Sequence, residues 1–496
     1  MAPETVVCDI GTSSVKSALF DEGGVLLATA VGAYETREAR AGEIDPELWW
    51  FAFRNSLRAL SGERSLEEVA TIILTGQMQN LILLNESGRA APAILYFDAR
   101  GAGELENLYS RIPRERIVEI TGNTPDGAGF PAKLLALEKE QPELLPGSRK
   151  LLCGAHDYVA YRLTGRARTD RTTAGTTGLL DLAEGGWSAE ILETLPVNES
   201  ILPEVCYAQE SDGLLEDGLA AELGLPPGVE LLHGAGDVGA SVLASQLSGG
   251  RVSCYLGTSG WVLDEAPPEE WGDPEQGVFN LPHPSRKRVI RVAPLLTAAG
   301  AVEWYLSLLT DDETERSRLY EELGALAAGN PEPTGIIFLP HLAGERSPFK
   351  DPEATGLFLG LRTQDDRARL FRSVLEGVSC AIRSVLEPLE KGRGETNEIL
   401  LNGGGAQIAG WPETLANVTG LPVRIAGDAR FAGGRGMLQL LSVAGGSTSS
   451  AEERLVEPDG AIHAAYEKQY ATFVKVYPQL RELMHELRTN LKGGFP

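Results

Sequence analysis

The chain has 496 residues, more than a single hydrophobic core usually holds, so two domains are expected. It carries 70 acidic and 44 basic residues, and its net charge of −26 disfavours nucleic acid and anionic membranes as partners because both would repel it. The five cysteines are scattered without zinc spacing, and no apolar run is long enough to span a bilayer, so we expect a cytoplasmic protein.

The first predicted element is a hairpin. Residues 6–8 and 15–20 are rich in apolar and β-branched side chains, and turn-forming residues separate them. A hairpin loop needs only turn chemistry, whereas this one carries an acid, hydroxyls and an amine. Glycine lets a ligand approach the backbone, hydroxyls and amides donate to phosphate oxygens, and an acid can hold a divalent cation. The segment predicts either a phosphate-binding loop or a surface hairpin that happens to carry polar side chains. The candidate phosphate- and cation-binding residues are Asp9, Gly11, Thr12, Ser13 and Lys16.

Helical and strand-like segments alternate after this hairpin. Residues 46–60 and 133–140 have the apolar spacing of helices, and residues 69–74 and 81–84 read as strands. Such alternation predicts an α/β protein with mixed or parallel sheets and argues against a helical bundle or a β-sandwich.

A second copy of the opening pattern occurs about half a chain later. Residues 229–233 predict a strand, residues 238–247 a helix, and residues 251–256 a further strand that runs into Gly257, Thr258 and Ser259. The segment CYLGTSGWV thus repeats CDIGTSSVK. This repeat predicts one strand–loop–strand unit in each domain, with the two loops facing each other across a cleft. We place the domain boundary so that the domains comprise residues 1–248 and 249–496.

The glycine-rich turn GAGDVG at residues 234–239 fits the GxGxxG pattern of dinucleotide-binding oxidoreductases. That class requires an acidic residue at the end of the next strand, where this chain has Leu256 and Gly257, so we disfavour it. Asp237 in this turn fits two further roles. It is either the cap of the following helix or a general base that takes a proton from a substrate hydroxyl, and the two roles are compatible.

A third glycine cluster follows the predicted strand at residues 398–401 and precedes the predicted helix at residues 411–418. Consecutive glycines let a flat ring lie against bare backbone, which suits adenine, whereas an ordinary strand-to-helix turn rarely needs three of them. The predicted nucleoside-binding residues are Gly403, Gly404, Gly405, Ala406 and Gln407.

Other conspicuous side chains are interpreted as structural. The pair Trp49-Trp50 is expected to pack in a core, because aromatic residues serve cores more often than ligands. Four histidines lack metal-binding spacing and are expected to be structural: His156, His233, His283 and His341. Asp98 and Arg100 fit either a surface ion pair or a place near the substrate.

Together these motifs resemble the sugar kinases of the FGGY carbohydrate kinase family over nearly the whole chain. The segment DIGTSSVK resembles the first phosphate loop of that family, GAGD its catalytic segment, YLGTSGW its second phosphate loop and NGGGAQ its adenosine loop. Further similarity lies in GQMQN, LYFDARG, DYVAYRLTGR, LPHLAGERSPF and LEGVSCAIR.

The resemblance implies an α/β protein with two domains of the ribonuclease H-like, actin-like ATPase fold and an active-site cleft between them. The N-terminal domain would bind the sugar and the C-terminal domain the ATP. Asp237 would be the catalytic base, and Asp9 with Asp237 would hold Mg²⁺. The implied ATP-binding residues are Gly11, Thr12, Ser13, Lys16, Gly257, Thr258, Ser259 and residues 403–407. The implied substrate-binding residues are Gln77, Met78, Gln79, Asp98 and Asp237.

Within this family the chain is most similar to the xylulokinases, and a ketopentose such as xylulose is the expected substrate. Two positions depart from that pattern. Gln79-Asn80 stand where a xylulokinase usually has His-Gly, and Val238 stands where Asn often follows the catalytic aspartate. These changes leave the phosphoryl chemistry intact and make the sugar less certain.

Further functions are compatible with the same sequence. They are a kinase for ribulose, gluconate or a glycerol-like polyol, a non-catalytic sugar sensor, and an actin-like assembly ATPase on the same fold. The sequence also leaves the oligomeric state open, a homodimer included.

Overall fold

The computed structural model describes residues 3–34, 42–245, 247, 250–390, 396–425, 432–441 and 454–492. The predicted domain boundary, between residues 248 and 249, lies outside these residues. No helix in the described part of the chain combines the length and the apolar character needed to cross a membrane.

A six-stranded mixed sheet forms the core of the N-terminal half. Its first three strands are antiparallel neighbours, and two later strands run parallel to the first. In spatial order the strands are β13 (Ser211–Leu214), β14 (Glu230–Gly236), β5 (Val69–Gly76), β1 (Glu4–Ile10), β2 (Ser14–Phe20) and β3 (Leu26–Ala33).

A seven-stranded sheet in the C-terminal half repeats this arrangement. Three antiparallel neighbours are again followed by two strands parallel to the first of them. In spatial order the strands are β17 (Phe279–Pro282), β18 (Val289–Leu295), β16 (Gly260–Ala266), β15 (Arg251–Leu256), β21 (Glu398–Asn402), β22 (Val423–Ile425) and β23 (Arg454–Val456).

The two sheets confirm the predicted ribonuclease H-like fold and the predicted repeat. The hairpin of β1 and β2 corresponds to the hairpin of β15 and β16, because each stands at the centre of its sheet beside a parallel strand. Since β14 and β15 belong to different sheets, they do not form the β-α-β unit of a dinucleotide-binding domain, and that alternative is wrong.

Five two-stranded pairs lie outside the large sheets. They are β4 (Glu43–Ile44) with β7 (Ala93–Ile94), β6 (Ile82–Asn85) with β8 (Ser148–Leu152), β9 (Arg168–Asp170) with β12 (Glu204–Cys206), β10 (Leu180–Asp181) with β11 (Gly186–Trp187), and β19 (Ile337–Leu339) with β20 (Leu357–Leu359).

Sixteen α-helices in the described residues surround the sheets. They are α1 (Glu47–Glu63), α2 (Leu105–Arg111), α3 (Arg114–Thr121), α4 (Phe130–Glu140), α5 (Leu144–Gly147), α6 (Ala155–Thr164), α7 (Arg171–Thr176), α8 (Ala189–Leu192), α9 (Asp217–Glu222), α10 (Asp237–Ser245), α11 (Ala299–Ser307), α12 (Glu313–Ala328), α13 (Arg367–Glu390), α14 (Trp411–Thr419), α15 (Ala432–Leu438) and α16 (Gly460–Lys492).

Each half has a hydrophobic core of its own. Helix α1 packs Trp49, Trp50 and Phe53 against the six-stranded sheet, as its apolar spacing predicts. Helix α13 places Phe371 and Val378 in the core of the seven-stranded sheet. Burying a large apolar side chain contributes about 1.5–3 kcal/mol, so these two cores hold the two hairpins in fixed positions.

Candidate active site

Asp237 lies where β14 ends and α10 begins. Its Oδ1 accepts a hydrogen bond of 2.8 Å from the backbone amide of Val238, so the carboxylate belongs to the first turn of the helix. The preceding glycine allows this placement: a Cβ on Gly236 would lie 2.0 Å from Cγ of Met78. The turn therefore brings Met78 and Asp237 together at one edge of the sheet.

The Asp237 carboxylate lines a cavity and is open to solvent. Desolvation by the surrounding protein and, second, the negative charge of Asp9 raise its pKa to about 6. Desolvation also raises the pKa of Asp9, against the opposing effect of Lys16. Two neighbouring carboxylates with raised pKa values are typical of functional sites, because ion pairs elsewhere usually lower them.

Two cavities meet at Asp237. One has a mostly apolar lining and a volume of about 310 Å³, and we call it the apolar cavity. Its lining includes Gln77, Met78, Gln79, Tyr96, Val238 and Arg346. The other, the polar cavity, has a volume of about 320 Å³ and includes Asp9, Gly11, Lys16, Tyr255, Asn402 and Gly403. Four residues line both cavities: Thr12, Gln77, Asp237 and Trp261. A group bound in one cavity can therefore react with a group bound in the other beside a carboxylate.

The polar cavity lies between the two repeated hairpins. Asp9 and Lys16 are cross-strand partners on β1 and β2, so an acid and an amine face the cavity side by side. From the other hairpin, Tyr255 and Trp261 are cross-strand partners whose rings stack at 4.2 Å. The cavity thus offers oxygen, amine and hydroxyl groups from one domain and aromatic surface from the other.

The loop of the first hairpin is held from below. The carbonyl oxygen of Gly11 accepts hydrogen bonds from the hydroxyl of Tyr34 at 2.5 Å and from Nε2 of Gln77 at 3.1 Å. The indole of Trp49 in turn donates to the Tyr34 hydroxyl. These hydrogen bonds to the Gly11 carbonyl hold the loop, and the hydroxyls of Thr12 and Ser13 remain exposed to solvent.

The loop of the second hairpin also begins with a glycine whose amide donates within the loop, but to the residue two positions later instead of three. The amide of Gly257 donates to the carbonyl of Ser259, whereas the amide of Gly11 donates to that of Ser14, and Thr258 and Ser259 are exposed. Eight of the predicted nucleotide-binding residues line neither cavity. They are Ser13, Gly257, Thr258, Ser259, Gly404, Gly405, Ala406 and Gln407.

The third glycine cluster forms a tight turn after β21. Gly403 has a φ of 90°, and a Cβ there would lie 2.5 Å from the carbonyl oxygen of Leu256, so only glycine fits. A Cβ on Gly405 would also contact Leu256, whereas one on Gly404 would meet no atom within 4 Å. Gly403 and Gly405 thus serve packing, and Gly404 presents bare backbone to open space.

Gln79 adopts a backbone conformation that side chains rarely take. Its φ is 59°, in the left-handed region, and its side-chain amide is directed to the carbonyl of Ala128 at 3.4 Å. Such conformations cost of order 1–3 kcal/mol and cluster at functional sites. Gln79, one of the residues that depart from the xylulokinase pattern, is therefore a strained residue in the lining of the apolar cavity.

Asp98 is held by an ion pair outside the lining of the apolar cavity. Its two oxygens accept from Nε and Nη2 of Arg100 at 3.0 and 2.9 Å, and Arg100 also donates to Glu43. Burial by itself raises the pKa of Asp98, but the hydrogen bonds from Arg100 outweigh it and lower the pKa. The structure thus shows Asp98 in an ion pair outside the lining of both cavities, and its predicted contact with the substrate stays a prediction.

Several side chains that line the cavities were not among the predicted residues, and Tyr96, Arg346 and Trp261 are examples. Tyr96 and Arg346 line the apolar cavity, and Trp261 lines both cavities. The segments LYFDARG and LAGERSPF contain the first two, so the family resemblance carried a signal for them. Trp261 ends the quoted segment YLGTSGW, but the hydroxyls of that loop, predicted to bind phosphate, gave no reason to select an indole.

A buried hydrogen-bond network lies beneath the Asp237 turn. Oδ2 of Asp170 accepts from the amide of Gly236 at 3.2 Å and lies 3.1 Å from Nε2 of His156. Further along, His233 lies between Asp157 and Asp212, with its Nδ1 2.8 Å from the latter. All these side chains are fully or almost fully buried.

The charges in this network stabilise one another. Burial alone would lower the pKa of His233, but nearby Cys206 and the hydrogen bonds to Asp157 and Asp212 hold it well above its ordinary value. Burial would likewise raise the pKa of Asp212, yet His233 and Arg168 lower it. Ligand atoms of His156, Asp157 and His233 also lie within 4.8 Å of one another, close enough to hold a metal ion, so the structural role expected for these histidines stays a prediction.

Comparison with known proteins gives the family. The models for the N-terminal and C-terminal domains of the FGGY family of carbohydrate kinases match residues 5–244 and 252–445. The xylulose kinase of Escherichia coli (strain K12) is 31% identical over 490 residues, which cover 96% of this chain and 99% of the relative.

Solved structures share the fold. A crystal structure of a xyloylose kinase from Brucella ovis has a TM-score of 0.87 and 29% identity, and the match covers 97% of this chain and 100% of that chain. Plasmodium falciparum glycerol kinase with ADP has a TM-score of 0.83 at 18% identity, covering 96% of this chain and 98% of that one. With both cavities and the repeated hairpins in place, the chain belongs to the FGGY family of carbohydrate kinases.

Proposed function

We propose that this carbohydrate kinase transfers the γ-phosphoryl group of ATP to a hydroxyl of a small ketose of the xylulose class. The observation that carries the proposal is the position of the Asp237 carboxylate at the junction of the two cavities. The curated relatives named xylulose kinase support the choice of a ketopentose.

In this proposal the polar cavity takes the phosphates. Lys16 supplies positive charge and Thr12 a hydroxyl from the lining of this cavity, while the exposed hydroxyls of Ser13, Thr258 and Ser259 lie on the two hairpin loops outside the lining and would reach the phosphates from there. The open backbone at Gly404 suits the flat face of a nucleobase, with Ala406 and Gln407 following in the same turn. On this basis we assign the nucleotide mainly to residues 249–496 and the sugar mainly to residues 1–248, with the phosphates between them and with Trp261 and Phe279 completing the lining of the apolar cavity.

The carboxylates of Asp9 and Asp237 fit a magnesium ion. Both line the polar cavity and offer oxygen donors, which Mg²⁺ prefers. The negative charge of Asp9 also contributes to the raised pKa of Asp237, so a cation between the two carboxylates would relieve their repulsion. When bound, Mg²⁺ would neutralise charge on the phosphate oxygens.

The transfer step uses groups of this chain. The acceptor hydroxyl in the apolar cavity gives its proton to the Asp237 carboxylate, and its oxygen attacks the γ-phosphorus. The bond between that phosphorus and the bridging oxygen of the β-phosphate breaks, ADP leaves, and the proton passes from Asp237 to solvent. Lys16 and the loop donors stabilise the charge on the transferring group.

The buried cysteines support a reducing location. All five are free thiols with little or no exposure, which is the usual condition of cysteines in the cytoplasm. We therefore propose that the enzyme works in the cytoplasm.

The Asp237→Asn variant tests the mechanism. We expect ADP formation with xylulose to fall at least about a thousandfold, because the amide cannot take the proton, while ATP affinity measured by calorimetry changes less than about threefold. The matched control is Asp217→Asn, since Asp217 is an exposed acid at the start of α9. A variant at position 237 that keeps most of its turnover would remove the assignment of the base.

An actin-like assembly ATPase is the alternative that shares this fold. It predicts that ATP is consumed at the same rate with and without sugar and that the protein sediments as polymers when ATP is added. The carboxylate at the junction of the cavities favours the kinase, because a polymerising ATPase has no sugar hydroxyl to deprotonate. A sugar-dependent rise in ADP release decides for the kinase.

A further inference from the structure

One side of the apolar cavity is a continuous hydrocarbon surface next to the Asp237 carboxylate. Its three half-buried members are Val238, Trp261 and Phe279, which we call the apolar wall. All three pack against one buried cluster that contains Val242, Leu281 and Val292 among others. The wall is thus the outer edge of a hydrophobic core and not a set of scattered surface residues.

The wall has a fixed geometry. Phe279 on β17 is the cross-strand partner of Val292, and Trp261 on β16 is the partner of Pro294. The partners Val292 and Pro294 also line the cavity. Pairing within one sheet holds these side chains in register, so the wall cannot easily rearrange to admit a polar group.

Val238 is the member of the apolar wall that lies next to the Asp237 carboxylate. It follows Asp237 directly, and its backbone amide donates to the Asp237 carboxylate at 2.8 Å. Its side chain is half-buried and packs on the same cluster as Trp261. A substrate whose hydroxyl contacts Asp237 must therefore place a neighbouring part against hydrocarbon.

Hydroxyl groups are disfavoured at this wall. A sugar hydroxyl that leaves water for hydrocarbon without a new partner costs about 1–3 kcal/mol, whereas a methyl or methylene group gains free energy there. Hydrogen-bonding side chains of the cavity, such as Gln77, Gln79 and Asn123, come from other segments of the chain. Within the wall, the indole N–H of Trp261 is a donor, but this atom is buried and so does not face the cavity. The cavity is thus suited to a sugar with one polar and one apolar side.

We infer that the preferred acceptor is a deoxyketose, a xylulose-like sugar that lacks one hydroxyl and presents the unsubstituted carbon to the apolar wall. This inference rests on the proposed kinase function and narrows its substrate. Val238 is the specificity-determining residue, because it adjoins the catalytic carboxylate and its side chain offers neither a donor nor an acceptor.

The test compares acceptor sugars. ADP formation is measured with xylulose and with its 1-deoxy, 3-deoxy and 4-deoxy analogues, and kcat/KM is determined for each. We expect one deoxy sugar to exceed xylulose by about 10- to 100-fold, since a hydrophobic pocket rejects an added hydroxyl only to that extent. Xylulose performing as well as or better than every deoxy analogue would overturn the inference and leave the kinase intact.

The variant Val238→Thr gives the second arm. Threonine has nearly the shape of valine and adds one hydroxyl, so the ratio of the best deoxy sugar to xylulose is expected to fall at least about fivefold. Val31→Thr is the matched control, because Val31 is an exposed residue on β3. If Val238→Thr leaves the ratio of kcat/KM for the best deoxy sugar to that for xylulose unchanged, Val238 does not determine the specificity. If the wild-type protein phosphorylates no sugar at all, the proposed function itself is wrong.

Discussion

The backbone amide of Gly236 donates a hydrogen bond of 3.2 Å to Oδ2 of Asp170, a residue 66 positions earlier in the chain. The amide belongs to the residue that precedes Asp237, so this contact fixes the backbone that carries the carboxylate proposed as the catalytic base. The other oxygen of Asp170 accepts from the amides of Thr172 and Thr173 at the start of α7. Asp170 is therefore a positioning residue that ties the Asp237 turn to a neighbouring helix.

We expect Asp170→Asn to lower kcat about tenfold and the free energy of unfolding by about 1–3 kcal/mol. An asparagine has one acceptor oxygen and one NH₂ group, so it cannot accept from Gly236 and from the start of α7 together. The binding of ATP, measured by calorimetry, should stay near the wild-type value because Asp170 does not line the polar cavity.

The control for this variant is Asp181→Asn. Asp181 makes the same kind of contact, accepting from the amides of Ala183 and Glu184 at 3.0 Å, but in a partly exposed turn away from Asp237. Rescue by Asp170→Glu is not expected, because the side chain is fully buried and has no room for another methylene. A folded Asp170→Asn protein with wild-type kcat would show that the contact is only structural.

The sequence was sufficient for the parts of the site that local patterns encode. Strand periodicity and the repeated Gly-Thr-Ser loops predicted both hairpins, and the glycines before Asp237 predicted a strand-to-helix turn there. These features depend on neighbours within about ten residues, which is the range over which a pattern can be recognised.

Long-range contacts set the limit of that prediction. The hydrogen bond from Gly236 to Asp170 and the pairing of Phe279 with Val292 join segments that nothing in the local sequence connects. Asp98 shows the opposite difficulty, because the motif Asp-Ala-Arg fits a ligand contact and an ion pair equally well. The structure adds the ion pairs of Arg100 with Asp98 and Glu43, which the motif alone did not specify.

The glycine cluster after β21 allows a paired test of the nucleoside site. We expect Gly404→Ala to keep its stability within about 0.5 kcal/mol, because the added methyl group meets no atom within 4 Å. ADP affinity should fall about tenfold, since the methyl group would occupy the space assigned to the nucleobase. Calorimetric titration with ADP and urea denaturation measure the two effects.

Gly403→Ala is the counterpart, with the opposite pattern. Its Cβ would lie 2.5 Å from the Leu256 carbonyl oxygen, and its φ of 90° is strained for alanine, so stability should fall by at least about 1–3 kcal/mol. If Gly404→Ala binds ADP as tightly as the wild type, the nucleobase does not lie on this turn.

The buried position of His233 predicts a pH dependence of stability. Its pKa is about 6.5 in the unfolded chain and well above that in the folded protein, where Cys206, Asp157 and Asp212 surround it. Its contribution is therefore complete below about pH 6.5 and is lost as the pH rises through the folded-state pKa. Between those two values the unfolded state releases the proton first, so stability falls by up to about 1.4 kcal/mol per pH unit.

His233→Asn isolates this effect, because asparagine keeps a polar side chain but does not titrate. Free energies of unfolding in urea, measured from about pH 6 to about pH 9, should show a wild-type advantage that shrinks steadily above about pH 6.5. Gln141→Asn, a change at an exposed residue that does not titrate, serves as the control and should show a constant difference from the wild type. A His233→Asn difference that is also constant would mean that the imidazole is neutral in the folded protein, and the charge assigned to the network beneath Asp237 would be wrong.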